Sequence, residues 1–145
     1  MTHRGRLEFI QTAQAAFAYL VDEFGFRQES IADDQELAVA FSNGQTRVVV
    51  EGRDWGLNAR VAFGSVSAFE NYDLEDLISL RQAATEARPE RGSLKRGSQQ
   101  LDQVRYYAEK LRVIGADILR NDRTVFGELQ RIVSNRAEAF RRNEV

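Results

Sequence analysis

Residues 36–64 alternate between apolar and polar side chains, and this alternation is the strongest constraint on the fold of the chain. A period of two is typical of β-strands that bury one face. Three apolar runs follow one another in this segment, which reads ELAVAFSNGQTRVVVEGRDWGLNARVAFG. Asn43-Gly44 separates the first two runs and tolerates the positive φ angles of a tight hairpin turn. A second turn is predicted at 52–56, so the pattern indicates an antiparallel meander.

One face of such a meander is apolar, and helices elsewhere in the chain must cover it. Apolar residues at three- and four-residue steps predict a helix over 6–23 that ends at Gly25. Its predicted inner stripe comprises Leu7, Ile10, Ala13, Phe17, Leu20 and Phe24. The same spacing predicts a short helix that starts after Asp73, a long helix over 99–120, and a final helix that follows Asp122. The inner stripe of the final helix is predicted to comprise Val125, Leu129, Ile132, Val133, Ala137 and Phe140.

These elements predict an α+β fold: an antiparallel three- to four-stranded meander covered by an N-terminal helix and a C-terminal helical hairpin. A weaker first strand is predicted at 26–31. Length favours a single domain over 1–145, and the breaker-rich stretch at 85–98 predicts a mobile surface loop. The side chains that we expect to be buried together are Phe17, Phe41, Val48, Val50, Val61, Phe63, Leu111 and Leu129.

Side chains that carry catalysis or hold metal ions are scarce. The chain has no cysteine, which excludes disulfides, thiolate nucleophiles and cysteine metal sites. His3 is the single histidine and lies near the N-terminus, where chains fray, so it gives no support to a catalytic triad or a histidine metal site. Glycine-rich phosphate-binding motifs do not occur. We therefore expect no cofactor, no metal and no catalytic set, and the balance of these observations is against an enzyme.

Charge is distributed unevenly along the chain. Residues 1–80 contain 6 Lys and Arg against 13 Asp and Glu, whereas residues 81–145 contain 14 against 9. The arginines of the last two helices, Arg105, Arg112, Arg131, Arg136, Arg141 and Arg142, are interleaved with acids, and the sequence pI is about 5.5. Nucleic acid is therefore not the expected partner. An acidic segment suits a basic protein partner that is steered by charge. An uneven draw of charges on solvated helix surfaces is the alternative explanation, and self-association is left open.

Two segments contain the candidate binding residues. Trp55 and Asp54 lie in the predicted second hairpin turn, where an exposed aromatic side chain is a common anchor of protein interfaces; the alternative is that Trp55 folds back over the sheet. Asp73, Glu75 and Asp76 form an acidic cluster. Helix capping accounts for part of this cluster, since the Asp73 carboxylate can accept the backbone N–H of Asp76.

A third candidate site lies in the predicted loop at 85–98. Lys95 and Arg96 stand between glycines and serines there, and such a loop can bind an anion through its backbone N–H groups. An ordinary solvated loop is the alternative explanation for the same residues.

The N-terminal segment is charged and amphipathic and lacks the continuous apolar core of a signal peptide. No apolar run approaches the length of a membrane span. We expect a cytoplasmic location without membrane contact.

The layout of the chain resembles that of small bacterial proteins of the immunity type, which neutralise secreted toxins. The resemblance rests on the leading helix, the meander VAFSNGQTRVVVEGRDWGLNARVAF, the run YDLEDL at 72–77 and the C-terminal helices. It implies a non-enzymatic, cytoplasmic binder of another protein. The alternative is an enzyme or small-ligand-binding protein with a pocket between sheet and helices.

Overall fold

The computed structural model describes residues 3–29, 37–53, 58–67, 71–82 and 99–143. Within them, one antiparallel sheet of five strands packs against helices, which confirms the predicted α+β class. The helices are α1 (His3–Ala16), α2 (Ala18–Phe24), α3 (Leu74–Gln82), α4 (Gln99–Ile114), α5 (Ala116–Leu119) and α6 (Phe126–Asn143). The strands are β1 (Arg27–Glu29), β2 (Ala38–Ser42), β3 (Thr46–Arg53), β4 (Asn58–Ser65) and β5 (Tyr72–Asp73).

The strands lie in sequence order, β1-β2-β3-β4-β5, so the sheet is the predicted meander. β1 lies within the weaker first strand predicted at 26–31, and β5 is a strand that was not predicted. Gly44 adopts a φ of 90° in the first hairpin turn, as the Asn-Gly pair predicts. The Asn43 side chain also accepts the backbone N–H groups of Gln45 and Thr46 at 2.9 and 2.8 Å. β3 and β4 pair from Thr46↔Ser65 to Arg53↔Asn58, which confirms the second hairpin, although its turn at 54–57 lies outside the described residues.

The inner side of the sheet holds the core. All eight side chains predicted to be buried together are at most 1% exposed: Phe17, Phe41, Val48, Val50, Val61, Phe63, Leu111 and Leu129. The alternation of the strands therefore predicts the correct face. Full burial of one such side chain contributes about 1.5–3 kcal/mol relative to leaving it in water.

The N-terminal helix differs from its prediction in two ways. It is interrupted at Phe17, so that α1 and α2 replace one continuous helix, and Gly25 ends α2 with a φ of 72°. The predicted stripe also begins at the wrong residue: Leu7 is 45% exposed, whereas Phe9 is fully buried. Helical periodicity allows either residue to belong to the core-facing stripe. The packing of α1 against α4 and β2 places Phe9 in the core.

The predicted long helix over 99–120 is also interrupted, at Gly115. A Cβ at this position would lie 2.7 Å from Leu111 Cδ1 and 2.9 Å from the Leu111 carbonyl oxygen, so a glycine is required. After α5, Asn121 adopts a φ of 69°, and its Oδ1 accepts hydrogen bonds from Asn43 Nδ2 and Thr46 Oγ1 at 2.9 Å. This residue ties the connection before α6 to the first hairpin.

Only the first two turns of α6 pack on the core. Phe126 lies 5.1 Å from Tyr72 between ring centroids, and Leu129 is fully buried. The predicted inner stripe is wrong beyond this point, because Val133 and Phe140 are 40% and 66% exposed and Ala137 is exposed as well. α6 contacts α3 and then extends past the core. The apolar periodicity of its sequence therefore continues beyond the last residues that the core buries.

Candidate protein-binding surface

The outer side of the sheet carries a short row of small apolar side chains. Ala40, Val49 and Ala62 are neighbours in the pairing register of β2, β3 and β4. Ala40 and Ala62 are fully buried, whereas Val49 at the centre of the row is half-buried and partly accessible to solvent. The described helices cover the inner side instead, where their apolar residues share one core cluster with the inward side chains of the strands.

A chain of ion pairs borders this row towards the second hairpin. Arg53 contacts Glu51 at 2.6 Å, Glu51 contacts Arg60 at 3.6 Å, and Arg60 contacts Asp73 at 3.2 Å. The four side chains stand on β3, β4 and β5, so the chain crosses the sheet. Partly exposed pairs of this kind contribute only ~0–1 kcal/mol each. Their main effect is to fix where the charges lie.

A further ion pair borders the row on its other side, where Arg47 contacts Glu29 at 3.3 Å. The result is a surface on which one partly accessible apolar side chain, Val49, lies between charged borders. We call it the outer face, and it consists of Ala40, Val49 and Ala62 together with Glu29, Arg47, Glu51, Arg53, Arg60 and Asp73. Most of these charged residues were not among the predicted site residues, although their alternation with the buried residues of β3 and β4 predicts outward-facing positions.

Asp73 is the one predicted acidic residue that lies on the outer face. Its Oδ1 accepts the backbone N–H of Glu75 at 2.9 Å, and its other oxygen contacts Arg60. The predicted cap is therefore present, but the donor is Glu75 rather than Asp76. Both residues lie in the first turn of α3, where backbone N–H groups have no acceptor within the helix, and the Asp73 side chain accepts from the nearer one.

Glu75 and Asp76 face the helices instead. Glu75 accepts a hydrogen bond from the hydroxyl of Tyr107 at 2.7 Å, and Asp76 pairs with Arg136 at 2.7 Å. The predicted acidic cluster is thus divided between two sides of the molecule. A role of these carboxylates in partner binding stays a prediction.

The remaining predicted site residues lie outside the described part of the chain. These are Trp55 and Asp54, predicted in the second hairpin turn, and Lys95 and Arg96, predicted in a loop at 85–98. Arg53↔Asn58 is the last described pair of that hairpin, and Arg53 belongs to the outer face. The predictions for these four residues therefore stay predictions.

Several arginines of the last two helices, which were considered above as a nucleic-acid-binding patch, form ion pairs. Arg105 pairs with Asp102 at 3.3 Å, and Arg112 pairs with Glu23 at 2.7 Å. Arg136 pairs with Asp76, as described above. Because these charges already have acidic neighbours, they do not form the focused positive surface that phosphate backbones require.

An ion pair between Arg81 and Asp117 stands on the helical side of the molecule. Arg81 donates two hydrogen bonds of 2.7 Å to the carboxylate of Asp117 and another to the carbonyl of Ile114. These bonds lower the pKa of Asp117 below its usual range. The pair joins α3 to the end of α4 and to α5.

We expect Asp117→Asn to lower the free energy of unfolding at neutral pH by about 1 kcal/mol, because the bidentate pair is lost. A depressed carboxylate pKa contributes stability above the unfolded-state pKa, and this contribution disappears as the pH falls through the folded-state value. The difference between Asp117→Asn and the wild-type chain should therefore vanish in acid. Urea unfolding from pH 7 downwards measures it, and a difference that persists below both pKa values would contradict the account.

A groove of about 460 Å³ lies between α1 and α4. It is lined by Glu8, Gln11, Thr12, Ala15, Ala16, Leu101 and Arg105. Its place between two helices differs from the pocket between sheet and helices that the enzyme alternative assumes. Among the described residues, no group of three or more His, Asp or Glu side chains is placed to hold a metal ion.

None of the described helices is long and apolar enough to cross a membrane. Comparison of the chain with models of protein families, with curated proteins and with solved structures finds no match.

Proposed function

We propose that this chain is a non-enzymatic protein-binding module that contacts its partner through the outer face. The observation that supports this proposal is the half-buried Val49 side chain on the outer side of β3, which lies between two sets of ion pairs. An apolar centre with a polar, solvated border is typical of protein interfaces.

The kind of partner that we propose is a basic protein, and this part of the proposal is based on the sequence. Described charges on the outer face are balanced, with three arginines and three carboxylates, whereas residues 1–80 as a whole have an acidic surplus. The proposal of a basic protein partner, such as a toxin neutralised by an immunity-type protein, rests on that surplus and on the resemblance of the layout. If charge steers the encounter, association slows as salt rises, because exposed charges are screened over ~8 Å at physiological ionic strength.

Val49→Arg is the substitution that tests the outer face most sharply. Its side chain is half-buried on the solvent side of β3, so a large charged group there should block a partner without entering the core. We expect affinity for the partner captured by the wild-type chain to fall at least about tenfold, or ~1.4 kcal/mol. Isothermal titration calorimetry measures the change.

The matched control is Val113→Arg, because Val113 lies on α4 and is 71% exposed. Both variants should retain the wild-type circular dichroism spectrum and melting transition. Equal loss of affinity in both variants, or wild-type affinity in Val49→Arg, would place the binding surface elsewhere. Turnover of a small molecule by the purified chain would instead favour the enzyme alternative.

A further inference from the structure

Asn43 and Gly44 form the one Asn-Gly pair of the sequence, and such a pair is chemically reactive. The backbone nitrogen that follows an asparagine can attack the asparagine side chain, and glycine hinders this attack least because it has no side chain. Gly44 is exposed in the first hairpin turn and Asn43 is half-buried, so both residues are accessible to water. Sequence and exposure together indicate a site of spontaneous deamidation.

The reaction consumes only water. The backbone nitrogen of Gly44 gives up its proton to solvent and attacks Cγ of Asn43. The new N–Cγ bond closes a cyclic imide, the Cγ–Nδ2 bond breaks, and Nδ2 leaves as ammonia. Water then opens the imide at either of its two carbonyl groups. One opening leaves an aspartate at position 43, and the other leaves an isoaspartate, in which the backbone is longer by one methylene group.

Hydrogen bonds within the turn hold the reacting groups in place. The N–H of Gly44 donates to Ser42 Oγ at 3.0 Å, although this nitrogen must lose its proton before it can attack. Oδ1 of Asn43 accepts the backbone N–H groups of Gln45 and Thr46 at 2.9 and 2.8 Å. These two bonds fix the direction of the Asn43 side chain, whereas ring closure draws Cγ onto the Gly44 nitrogen.

The leaving group of the reaction is held by a distant part of the chain. Nδ2 of Asn43 donates to Oδ1 of Asn121 at 2.9 Å, and the same oxygen accepts the hydroxyl of the fully buried Thr46. Asn121 is itself fixed, because its φ is 69° and its backbone N–H donates to the carbonyl of Ile118 at 2.9 Å. Nδ2 therefore leaves only when the first hairpin separates from the connection before α6.

We propose that Asn43 is a deamidation site that Asn121 keeps unreactive while the first hairpin is closed. Reaction then proceeds from the locally opened hairpin, and its rate is reduced by the small population of that opened form. Both products lack the N–H donor that faces Asn121, and closing of the hairpin does not restore it. The modification therefore marks chains in which this hairpin has opened.

Mass spectrometry of the tryptic peptide 28–47, which contains Asn43 and no other asparagine, measures the reaction. The folded chain and a synthetic peptide of the same residues are incubated side by side at neutral pH. We expect Asn43 to deamidate at least about tenfold more slowly in the folded chain. A rate in the folded chain that equals or exceeds that of the peptide would overturn the proposal, because the hydrogen bonds would then not restrain the reaction.

Three variants isolate the contribution of Asn121. Asn121→Gly accommodates the positive φ but removes the side chain, and it should deamidate at Asn43 at least about threefold faster than the wild-type chain. Asn121→Asp keeps the accepting oxygen and also accommodates this φ, so it should remain as slow as the wild type. Gln103→Leu removes contacts at the far end of β4 and should remain slow as well.

Circular dichroism shows whether each variant is folded, and the comparison of the wild-type chain with the peptide depends on no variant. An Asn121→Gly chain that is folded and as slow as the wild type would overturn the role of Asn121. Equal acceleration in Gln103→Leu would overturn it as well, because general loss of stability would then control the rate.

Discussion

Replacing Phe63 by alanine is expected to lower the free energy of unfolding by about 3–5 kcal/mol. Phe63 is 1% exposed on the inner side of β4, and its ring centroid lies 6.1 Å from those of Tyr72 and Phe126. It therefore joins the sheet to both β5 and α6. Truncation removes buried apolar surface and leaves a cavity between β4, β5 and α6. The neighbouring side chains can fill such a cavity only in part.

Urea denaturation at neutral pH measures this loss. Val66→Ala provides the matched control, because Val66 follows β4 directly and is 37% exposed. We expect a change of less than about 1 kcal/mol for the control. If Phe63→Ala unfolds at the same urea concentration as the control, the packing of β4 against α6 is not as described.

Replacing Gln103 by leucine is expected to lower the free energy of unfolding by about 2 kcal/mol. Leucine is similar in size to glutamine and apolar, so this loss would come from hydrogen bonds and not from a cavity. Gln103 is 2% exposed on α4. Its Oε1 accepts the backbone N–H of Ala59 at 2.7 Å, and its Nε2 donates to Asn58 Oδ1 at 3.0 Å. Leucine removes both bonds at the first residues of β4, and a buried amide that loses its acceptor bears the cost of desolvation.

Gln11→Leu is the control for Gln103→Leu, because Gln11 is exposed on α1. It should leave stability within about 0.5 kcal/mol of the wild-type value. Amide hydrogen exchange adds a local measurement: the N–H of Ala59 should exchange faster in Gln103→Leu and unchanged in the control. A Gln103→Leu chain as stable as the control would show that this contact between α4 and β4 contributes nothing.

Local features of the fold follow from the sequence with little ambiguity. Alternation identifies which side chains of β3 and β4 face inwards, since a one-residue slip would bury charges such as Glu51 and Arg60. Turn positions follow from the residues that tolerate positive φ, as Gly25 and Gly44 illustrate. These features depend on residues that are close together in the chain, and therefore they can be predicted from the sequence.

Features that depend on distant packing do not follow in the same way. Helical periodicity predicts an inner side for α6, but it does not predict where the core ends, and Phe140 is consequently exposed. The choice of Phe9 over Leu7 depends on how α1 meets α4 and β2. The interruption at Gly115 depends on the space left beside Leu111.

The candidate site shows the same division. Asp73, Glu75 and Asp76 are close in sequence, yet the turn from β5 into α3 directs Asp73 to the outer face and the other two to the helices. The partnership of Arg60 with both Glu51 and Asp73 requires the register of three strands. That register cannot be predicted from any local sequence pattern.

Thiol labelling tests most directly whether the outer face is the binding surface. A single cysteine in place of Val49 can be labelled without background, since the wild-type chain has none. We predict that Val49→Cys reacts with a small thiol reagent in the free chain and is protected when the partner is bound, whereas Val113→Cys reacts equally in both states. Equal labelling of Val49→Cys in the free and bound states would contradict binding through the outer face.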